Sequence, residues 1–273
     1  MKAPVLIVVQ ARLGSTRLPG KVLRDLGGKP MLLRMLERLY AVKSPATVVV
    51  ATTTEPQDER IETLCRASGV EVFRGHPTDL LDRHYQAAVA FGAEAVAKIP
   101  SDCPLIDPAA VDNVLARFAQ GDCDYASNLH PASWPDGNDV EVMRVSALQT
   151  AWREARLPME REHTTPFIWE RPERFRLANV AWGGEAPNGD RDCSMSHRWT
   201  VDYQEDYAAI RAIFEALHPR NPLFGVEDIL RLLVRKPEVA AINACHRGVN
   251  WYRHHLHQLR TVDAYSTRLD RVA

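Results

Sequence analysis

The chain has 273 residues, enough for one substantial core, and its 34 Lys and Arg residues nearly balance 35 Asp and Glu residues. This balance argues against a broad electrostatic surface for nucleic acid or anionic membranes, and no apolar stretch is long enough to span a bilayer. The amino terminus lacks a secretory signal pattern, and five scattered cysteines without a CxxC pair argue against a disulfide framework or a zinc site, so we expect a cytoplasmic protein.

The first half of the chain alternates strand and helix patterns. Short apolar runs bounded by turn residues predict strands, at residues 5–9, 47–52, 70–73 and 95–99. Amphipathic runs with Pro or Asp at the start or Gly at the end predict helices, at residues 31–42, 57–68, 79–91 and from Pro108 onward. Repeated βα units imply an α/β fold with a mostly parallel sheet.

After about Asp122 the pattern changes. Strands are predicted at 125–129 and 140–145, with a turn rich in Pro and Gly between them. Residues 182–197 are rich in Gly, Asp and Ser and are predicted to form a mobile loop near the functional site. Helices are predicted farther on, at 206–217, at 226–234 and in the last stretch of the chain.

The loop after the first strand, QARLGSTRLPGKVL, carries the most distinctive chemistry. It combines glycines, hydroxyls and cations, at Gly14, Gly20, Ser15, Thr16, Arg12, Arg17 and Lys21. Amides turned inward by glycine bind anions, arginine adds bidentate contacts and lysine adds a compact charge. The pattern is neither the Walker A motif nor the dinucleotide fingerprint. We expect this loop to wrap a polyphosphate at the carboxyl edge of the sheet.

Asp102, in the run SDCPLID, follows the strand predicted at 95–99 and therefore lies at the same edge. Mg²⁺ prefers one or two carboxylates together with phosphate oxygens and water, so a carboxylate that faces a triphosphate is a candidate ligand. A helix cap is the alternative role for such an Asp. Asp107, directly before Pro108, already fits the cap, so we expect Asp102 to face the phosphates.

These features resemble the acylneuraminate and CMP-KDO cytidylyltransferase superfamily, and the phosphate loop looks most like that of its spore coat polysaccharide biosynthesis protein F branch. The likeness continues up to about Asn243 through motifs in the same order: VVVATT, TDLLDRHYQAA, SDCPLID, PDGNDVEV, REHTTPFI and HRWTVDYQED. The resemblance implies a nucleotide-diphospho-sugar transferase-like fold, with a mixed, mostly parallel sheet flanked by helices.

The same resemblance implies the domain organisation. It predicts a nucleotidyltransferase domain at 1–243, divided into a nucleotide-binding half at 1–121 and an acceptor and dimerisation half at 122–243. A helical tail is expected at 244–273. The implied assembly is a homodimer.

The activity implied by the resemblance is Mg²⁺-dependent transfer of CMP from CTP to a sugar acid or related sugar, with release of pyrophosphate, for surface polysaccharide or glycoconjugate synthesis. The implied partners are CTP and a small acidic sugar, without nucleic acid or membrane. Arg12 and Lys21 are expected to hold the β- and γ-phosphates. Asp102 is expected to bind the metal, and Asp202 to complete the site, with a helix cap as the alternative role for Asp202.

Further nucleotide contacts are implied by position in the family motifs, at Gln10, Ala11, Gly14, Ser15, Arg83 and Ser101. Arg17 is expected either to join them or to form a local salt bridge, and a solvated helix charge is the alternative for Arg83. This chain also departs from the branch in the residues before the metal-binding Asp. The branch usually has Arg, Thr and Gly there, whereas this chain has Lys98, Pro100 and Ser101. The departure leaves the identity of the nucleotide open at this point.

The acceptor side is implied by two motifs, PDGNDVE and REHTTP. The residues expected to contact the acceptor are Asp136, Asp139, Glu141, Arg161 and His163. A general base is one role for His163, and a structural histidine is the other. The histidines near the carboxyl terminus have neither acid partners nor ligand spacing in the sequence, so we expect them to lie on a helix and not to bind a metal.

Two other functions remain open from the sequence. Nucleotide-sugar glycosyltransferases share this sheet and use a DxD-type acid pair, which Asp122, Cys123 and Asp124 would supply, although this run also fits the start of a strand. A non-catalytic nucleotide-binding protein is the second alternative, since the residues before Asp102 are altered.

Overall fold

The computed structural model describes residues 5–187 and 189–269. Within them, seven strands form one mixed sheet in the order β3-β2-β1-β4-β6-β5-β7. The strands are β1 (Val5–Gln10), β2 (Ala46–Thr53), β3 (Glu71–Gly75), β4 (Ala95–Pro100), β5 (Tyr125–Ser127), β6 (Glu141–Arg144) and β7 (Leu177–Asn179). This architecture confirms the predicted α/β fold with a mixed, mostly parallel sheet.

The helices that flank the sheet follow in chain order. They are α1 (Met31–Leu39), α2 (Glu59–Ala67), α3 (Leu80–Phe91), α4 (Pro108–Phe118), α5 (Val145–Glu154), α6 (Pro158–His163), α7 (Pro166–Trp169), α8 (Gln204–Leu217), α9 (Val226–Arg235) and α10 (Pro237–Ala241). None of the helices in the described ranges has both the length and the apolarity needed to cross a bilayer.

Strand direction brings several chain segments to one edge of the sheet. β1 pairs in parallel with β2 and β4, whereas β6 runs antiparallel to both β4 and β5. The register places Gln10 beside Pro100, and Lys98 beside Glu141. The carboxyl ends of β1 and β4 and the amino end of β6 therefore meet at this edge, which we call the site edge.

Alternating side chains of the strands fill both faces of the sheet. In β1, Ile7 and Val9 pack in a cluster with Leu36 of α1, while Leu6 and Val8 pack in a second cluster with residues of α3 and α5. A third cluster lies around α8 and α9. This third cluster supports the segment that carries Asp202, so it fixes the far side of the site.

The strands and long helices predicted for the first half are confirmed within a few residues, but other elements were missed or mistaken. The sequence analysis did not predict α5, α7, α10 or β7, which are short or follow a strand directly. The last stretch forms three 3₁₀ turns in its described part, not a continuous helix. Gly248 has φ of 69°, which is incompatible with a continuous right-handed helix. The large aromatic residues stand at successive positions and so do not form one apolar helical face.

Candidate active site

The loop that follows β1 is held in a closed ring. Gly20 N donates to Leu13 O at 3.0 Å, and Leu13 N donates to the buried carboxylate of Asp58 at 2.8 Å. Gly20 has φ of 66°, the left-handed region that favours glycine, whereas Gly14 does not have a positive φ. Four amides of the ring donate to no acceptor in the described chain: those of Arg12, Gly14, Thr16 and Arg17. Such unpaired amides can bind an anion.

Asp102 and Asp202 meet at the site edge and share the ammonium group of Lys21. Lys21 Nζ lies 3.0 Å from Asp102 Oδ2, 3.0 Å from Asp202 Oδ1 and 2.6 Å from Val201 O. A backbone bond from Val201 N to Asp102 O, 2.8 Å long, joins the two segments. Burial alone would lower the pKa of Lys21, but the two carboxylates raise it above 10.5. Lys21 is therefore the cation that the two carboxylates share in this state, and all three of its protons are engaged.

Arg198 is a site residue that the sequence analysis did not single out. Its buried guanidinium contacts Asp136 Oδ2 at 3.0 Å, Asp202 Oδ2 at 3.2 Å and Asp206 Oδ1 at 3.0 Å. Burial alone would raise the pKa of Asp202, but the neighbouring cations, Lys21 foremost, lower it to about 2. The position of Arg198 four residues before Asp202, in the run RWTVD, is the signal that could have identified it.

The structure shows which of the two acids, Asp107 or Asp202, caps the helix that follows it. Asp107 caps α4, because its Oδ1 accepts a hydrogen bond from Ala109 N at 2.9 Å, as predicted. Asp202 does not cap α8, because the N-cap residue is Tyr203 and the Asp202 carboxylate contacts Lys21 and Arg198 instead. The carboxylate of Asp202 is thus directed to cations and not to the helix.

Most of the predicted nucleotide contacts line the cavity, but they differ in whether they already have a partner in the described structure. Gln10 lines the cavity, and its Oε1 is buried without a hydrogen-bond partner in the described structure. Arg12 also lines the cavity and has no carboxylate of the described chain within ion-pair distance. Arg17 instead forms the local salt bridge, at 2.8 Å from Asp202 Oδ1. Ala11, Ser15 and Ser101 line the cavity too, whereas Gly14 does not.

Arg83 is not a solvated helix charge, because it is only 1% exposed. Its Nε donates to His76 O at 2.9 Å and its Nη2 to Pro77 O at 2.7 Å, so it holds the loop before α3. Burial, together with the charge of Arg12, lowers the pKa of Arg83 to about 10. Arg83 therefore shapes the cavity wall beside Arg12.

Four of the five predicted acceptor residues line the same cavity: Asp136, Asp139, Glu141 and His163. Arg161 does not, and this part of the prediction is wrong. Its Nε bonds to Asp79 Oδ2 and its Nη1 to Trp152 O, because α6 packs against α3 and turns the guanidinium away from the cavity. Arg161 therefore anchors α6.

The ionisable groups on the acceptor side are largely neutralised by their surroundings. Glu141 pairs with Lys98 and accepts from Tyr125 Oη at 2.7 Å. Burial lowers the pKa of His163 to about 3, so this imidazole is uncharged and a weak base at neutral pH. Burial, with the charge of Asp102, raises the pKa of Asp139 to about 6. The structure thus favours the structural alternative for His163.

The carboxyl-terminal segment contributes cavity residues that the sequence analysis missed. Trp251, Tyr252 and His255 line the cavity, although the sequence suggested only a decorated helix. His246 also has an acid partner, contrary to expectation, since its Nε2 lies 3.3 Å from Glu205 Oε2. This partner comes from α8 and is distant in sequence, so spacing alone could not reveal it.

The DxD-type run lies away from the site. Asp122 is exposed and pairs with Arg117 at 2.6 Å, while Asp124 pairs with Arg176 at 2.8 Å. Both acids precede β5, whose direction places its amino end at the edge opposite the site edge. This acid pair therefore cannot hold a nucleotide sugar in the cavity described here.

All these cavity residues surround a single space of about 990 Å³, large enough for a nucleotide and a second small molecule. Residues 182–187 and 189–197 form no helix or strand, and Asp192, Ser194 and Met195 from this loop also reach the wall. The predicted position of the loop near the site is therefore correct. One half of the cavity is charged, around Lys21 and Asp102, and the other half is aromatic, around His163 and Trp251.

Comparison with known proteins agrees with this geometry. The cytidylyltransferase family model matches residues 6–231. The chain belongs to the cytidylyltransferase family. The enzyme is 33% identical over 247 residues to spore coat polysaccharide biosynthesis protein SpsF of Bacillus subtilis, covering 86% of this chain and 96% of that protein.

Two further relatives extend the comparison. A cytidylyltransferase structure from Leptospira borgpetersenii superposes with a TM-score of 0.78 at 32% identity, over 87% of this chain and 97% of that one. A 3-deoxy-manno-octulosonate cytidylyltransferase of Chromohalobacter salexigens is 35% identical over 193 residues, 65% of this chain and 69% of that protein. The predicted superfamily and its nucleotide-diphospho-sugar transferase fold are confirmed, and the enzyme is a nucleotidyltransferase.

Proposed function

We propose that the enzyme uses CTP and Mg²⁺ to attach CMP to a hydroxyl of a sugar acid or related sugar, with release of pyrophosphate, for surface polysaccharide or glycoconjugate synthesis. One observation carries the proposal. The carboxylates of Asp102 and Asp202 enclose a cation beside a ring of unpaired amides, at the carboxyl edge of the sheet. This combination suits a triphosphate with its metal.

The phosphates would be bound by the loop and its free cation. Arg12, which lacks a carboxylate partner in the described chain, and the unpaired amides of residues 12, 14, 16 and 17 are available to the β- and γ-phosphates. Lys21 would turn toward the phosphates once another cation neutralises Asp102 and Asp202. The buried Oε1 of Gln10, which has no described partner, would accept from the amino group of cytosine.

The donor set fits Mg²⁺. The Lys21 ammonium shows that a cation is accommodated between Asp102 and Asp202, at 3.0 Å from an oxygen of each. The described chain offers no group of three or more metal-binding side chains, so phosphate oxygens and water would supply the other ligands, as Mg²⁺ prefers. When bound, the ion would neutralise phosphate charge and lower the pKa of a coordinated hydroxyl.

The chain itself would contribute alignment and charge. The acceptor hydroxyl would attack the α-phosphorus of CTP, the bond from that phosphorus to the bridging β-oxygen would break, and the hydroxyl proton would pass to solvent. Arg12 and the loop amides would stabilise the charge that develops on pyrophosphate. The aromatic half of the cavity would exclude water from competing with the acceptor.

The deciding experiment measures pyrophosphate release from CTP and Mg²⁺ with a panel of sugars and sugar acids. Asp102→Ala is expected to lower the rate by about 10³-fold or more, because it removes a carboxylate from the charge-stabilising centre. Asp122→Ala, which removes an exposed acid at the opposite edge, is the matched control and should retain full activity. UTP, ATP and GTP in place of CTP test the choice of base.

Three results would contradict the proposal. Undiminished release in Asp102→Ala would exclude the acid pair from the reaction. Sugar transfer without pyrophosphate would favour a glycosyltransferase. Tight CTP binding by calorimetry without product from any acceptor would favour a non-catalytic binding protein.

A further inference from the structure

The segment at residues 247–269, which we call the C-terminal strap, is a closed loop. Arg268 N donates to Gly248 O at 2.6 Å, and Asn250 N donates to Thr267 Oγ1 at 3.0 Å, so the two ends of the strap lie side by side. The strap lies beyond residue 231, where the match to the family model ends.

The strap is fixed to the body of the enzyme at several points. The buried carboxylate of Glu170 accepts from Arg260 N at 2.6 Å and from Thr261 N at 3.0 Å. Tyr252 and Leu259 are buried in the core cluster that covers one face of the sheet. These contacts hold the strap in one position, so the side chains that it places in the cavity form a defined wall.

That wall is aromatic. The Trp251 ring stacks on His163, with centroids 3.7 Å apart and planes 15° apart. Trp169 lies next to it, with its ring centroid 6.5 Å from that of Trp251, and Tyr252 completes the surface. His163 is uncharged at neutral pH, since burial lowers its pKa to about 3. The rings of His163, Trp169 and Trp251 therefore give this part of the cavity an uncharged aromatic surface.

We propose that Trp251, held by the C-terminal strap and by His163, is the stacking platform for the sugar ring of the acceptor, and that the strap sets acceptor selectivity. The C–H bonds on one face of a sugar are polarised and are attracted to the negative face of an aromatic ring. The charged half of the cavity already matches the phosphates, so the aromatic half remains for the sugar. This inference rests on the proposed function and deepens it.

The first test compares the effect of a substitution on the acceptor KM with its effect on the CTP KM. Trp251→Ala is expected to raise the acceptor KM about tenfold, the equivalent of about 1.4 kcal/mol of stacking and contact, and to leave the CTP KM unchanged. Trp251→Phe should recover much of the loss because it keeps a ring. Trp152→Ala is the matched control, since Trp152 stacks on Tyr85 and is not part of the cavity wall. A rise in the CTP KM with no change for the acceptor would overturn the proposal.

A second variant tests the strap without altering the cavity wall. In Glu170→Ala both carboxylate oxygens are removed, so the amides of Arg260 and Thr261 lose their acceptors and the strap loses this anchor. We expect the same rise in acceptor KM with an unchanged CTP KM. Equal changes in both constants would show a general loss of structure, and would contradict a specific role for the strap.

Direct binding separates this inference from the proposed function. Calorimetry without CTP would titrate 3-deoxy-manno-octulosonate, an acylneuraminate and neutral hexoses into wild type and Trp251→Ala. Weaker sugar binding in the variant supports the platform even if no sugar yields pyrophosphate, a result that would defeat only the proposed function. Wild type that binds none of these sugars, or equal affinity in both proteins, overturns the platform.

Discussion

The two halves of the cavity differ in how they are built. The phosphate half depends on charge, with Lys21 held between Asp102 and Asp202, and it comes largely from a loop and two strand ends. The acceptor half depends on aromatic surface, and His163 and Trp251 reach it from segments far apart in sequence. The comparison teaches that an electrostatic site can be traced to short motifs even when these lie far apart in the chain, whereas surfaces that recognise shape are assembled by packing.

The largest effect is expected at the lysine that neutralises the acid pair. In Lys21→Met the two carboxylates lose their shared cation, so we expect a stability loss of about 3 to 5 kcal/mol and a strong loss of CTP turnover. Because a divalent cation can take the same place, Mg²⁺ should raise the Tm of this variant more than that of wild type. Thermal melts with and without Mg²⁺ measure the difference.

Lys98→Met is the matched control from the acceptor half. Lys98 also pairs with a buried carboxylate, that of Glu141, so this variant should be destabilised as well. Its Tm should gain nothing special from Mg²⁺, because only one carboxylate is left. An equal rise in Tm with Mg²⁺ for Lys21→Met and Lys98→Met would contradict a cation site specific to the phosphate half.

A smaller effect is expected at Arg12, which has no carboxylate partner among residues 5–187 and 189–269. Arg12→Ala should raise the CTP KM by about ten- to a hundredfold, because a charge-assisted contact to phosphate is removed. The acceptor KM should stay nearly constant. Initial-rate kinetics check this, with Arg66→Ala on α2, where Arg66 pairs with Glu62, as the control. A larger change in the acceptor KM than in the CTP KM would remove the boundary between the two halves.

The smallest expected effect is a pH-dependent change in stability at Asp139, which lies between the two halves of the cavity. The pKa of Asp139 rises from 3.8 to about 6 in the folded enzyme, so folding favours its protonated form. The contribution of Asp139 to the free energy of unfolding is therefore present below about pH 4 and is lost as the pH rises through 6. In metal-free buffer at pH 8, Asp139→Asn should be more stable than wild type by about 1 to 3 kcal/mol, with little difference at pH 4. Urea unfolding at both values measures this, and a variant less stable at pH 8 would contradict it.

Most of the phosphate half could be predicted from the sequence. Gly20, Asp102 and the loop cations lie in short runs directly after strands, and strand order then brings them to one edge. The sequence could not show that Arg17 and Lys21 pair with Asp202, because that acid is more than 180 residues away and is positioned by the third core cluster. It also could not show that Arg198 joins the site through a buried guanidinium.

The acceptor half was predicted less well, for physical reasons. Arg161 and His163 lie in one motif, but helix packing turns Arg161 to Asp79 while His163 reaches the cavity. The strap has no hydrophobic period that predicts its path, although Tyr252 and Leu259 anchor it in the second core cluster. Position in a motif therefore did not determine position in the site.

The closed ends of the strap have a practical consequence for anyone who shortens the protein. Trimming the chain at residue 231, where the match to the family model ends, would keep the whole sheet and the phosphate loop. It would also leave the carboxylate of Glu170 and the ring of His163 without their partners. Such a fragment would also lose Leu232, Leu233 and Val239 of the third core cluster and the bond from Arg198 Nη1 to Val249 O at 3.2 Å, so crystal soaks and inhibitor screens need residues up to at least 269.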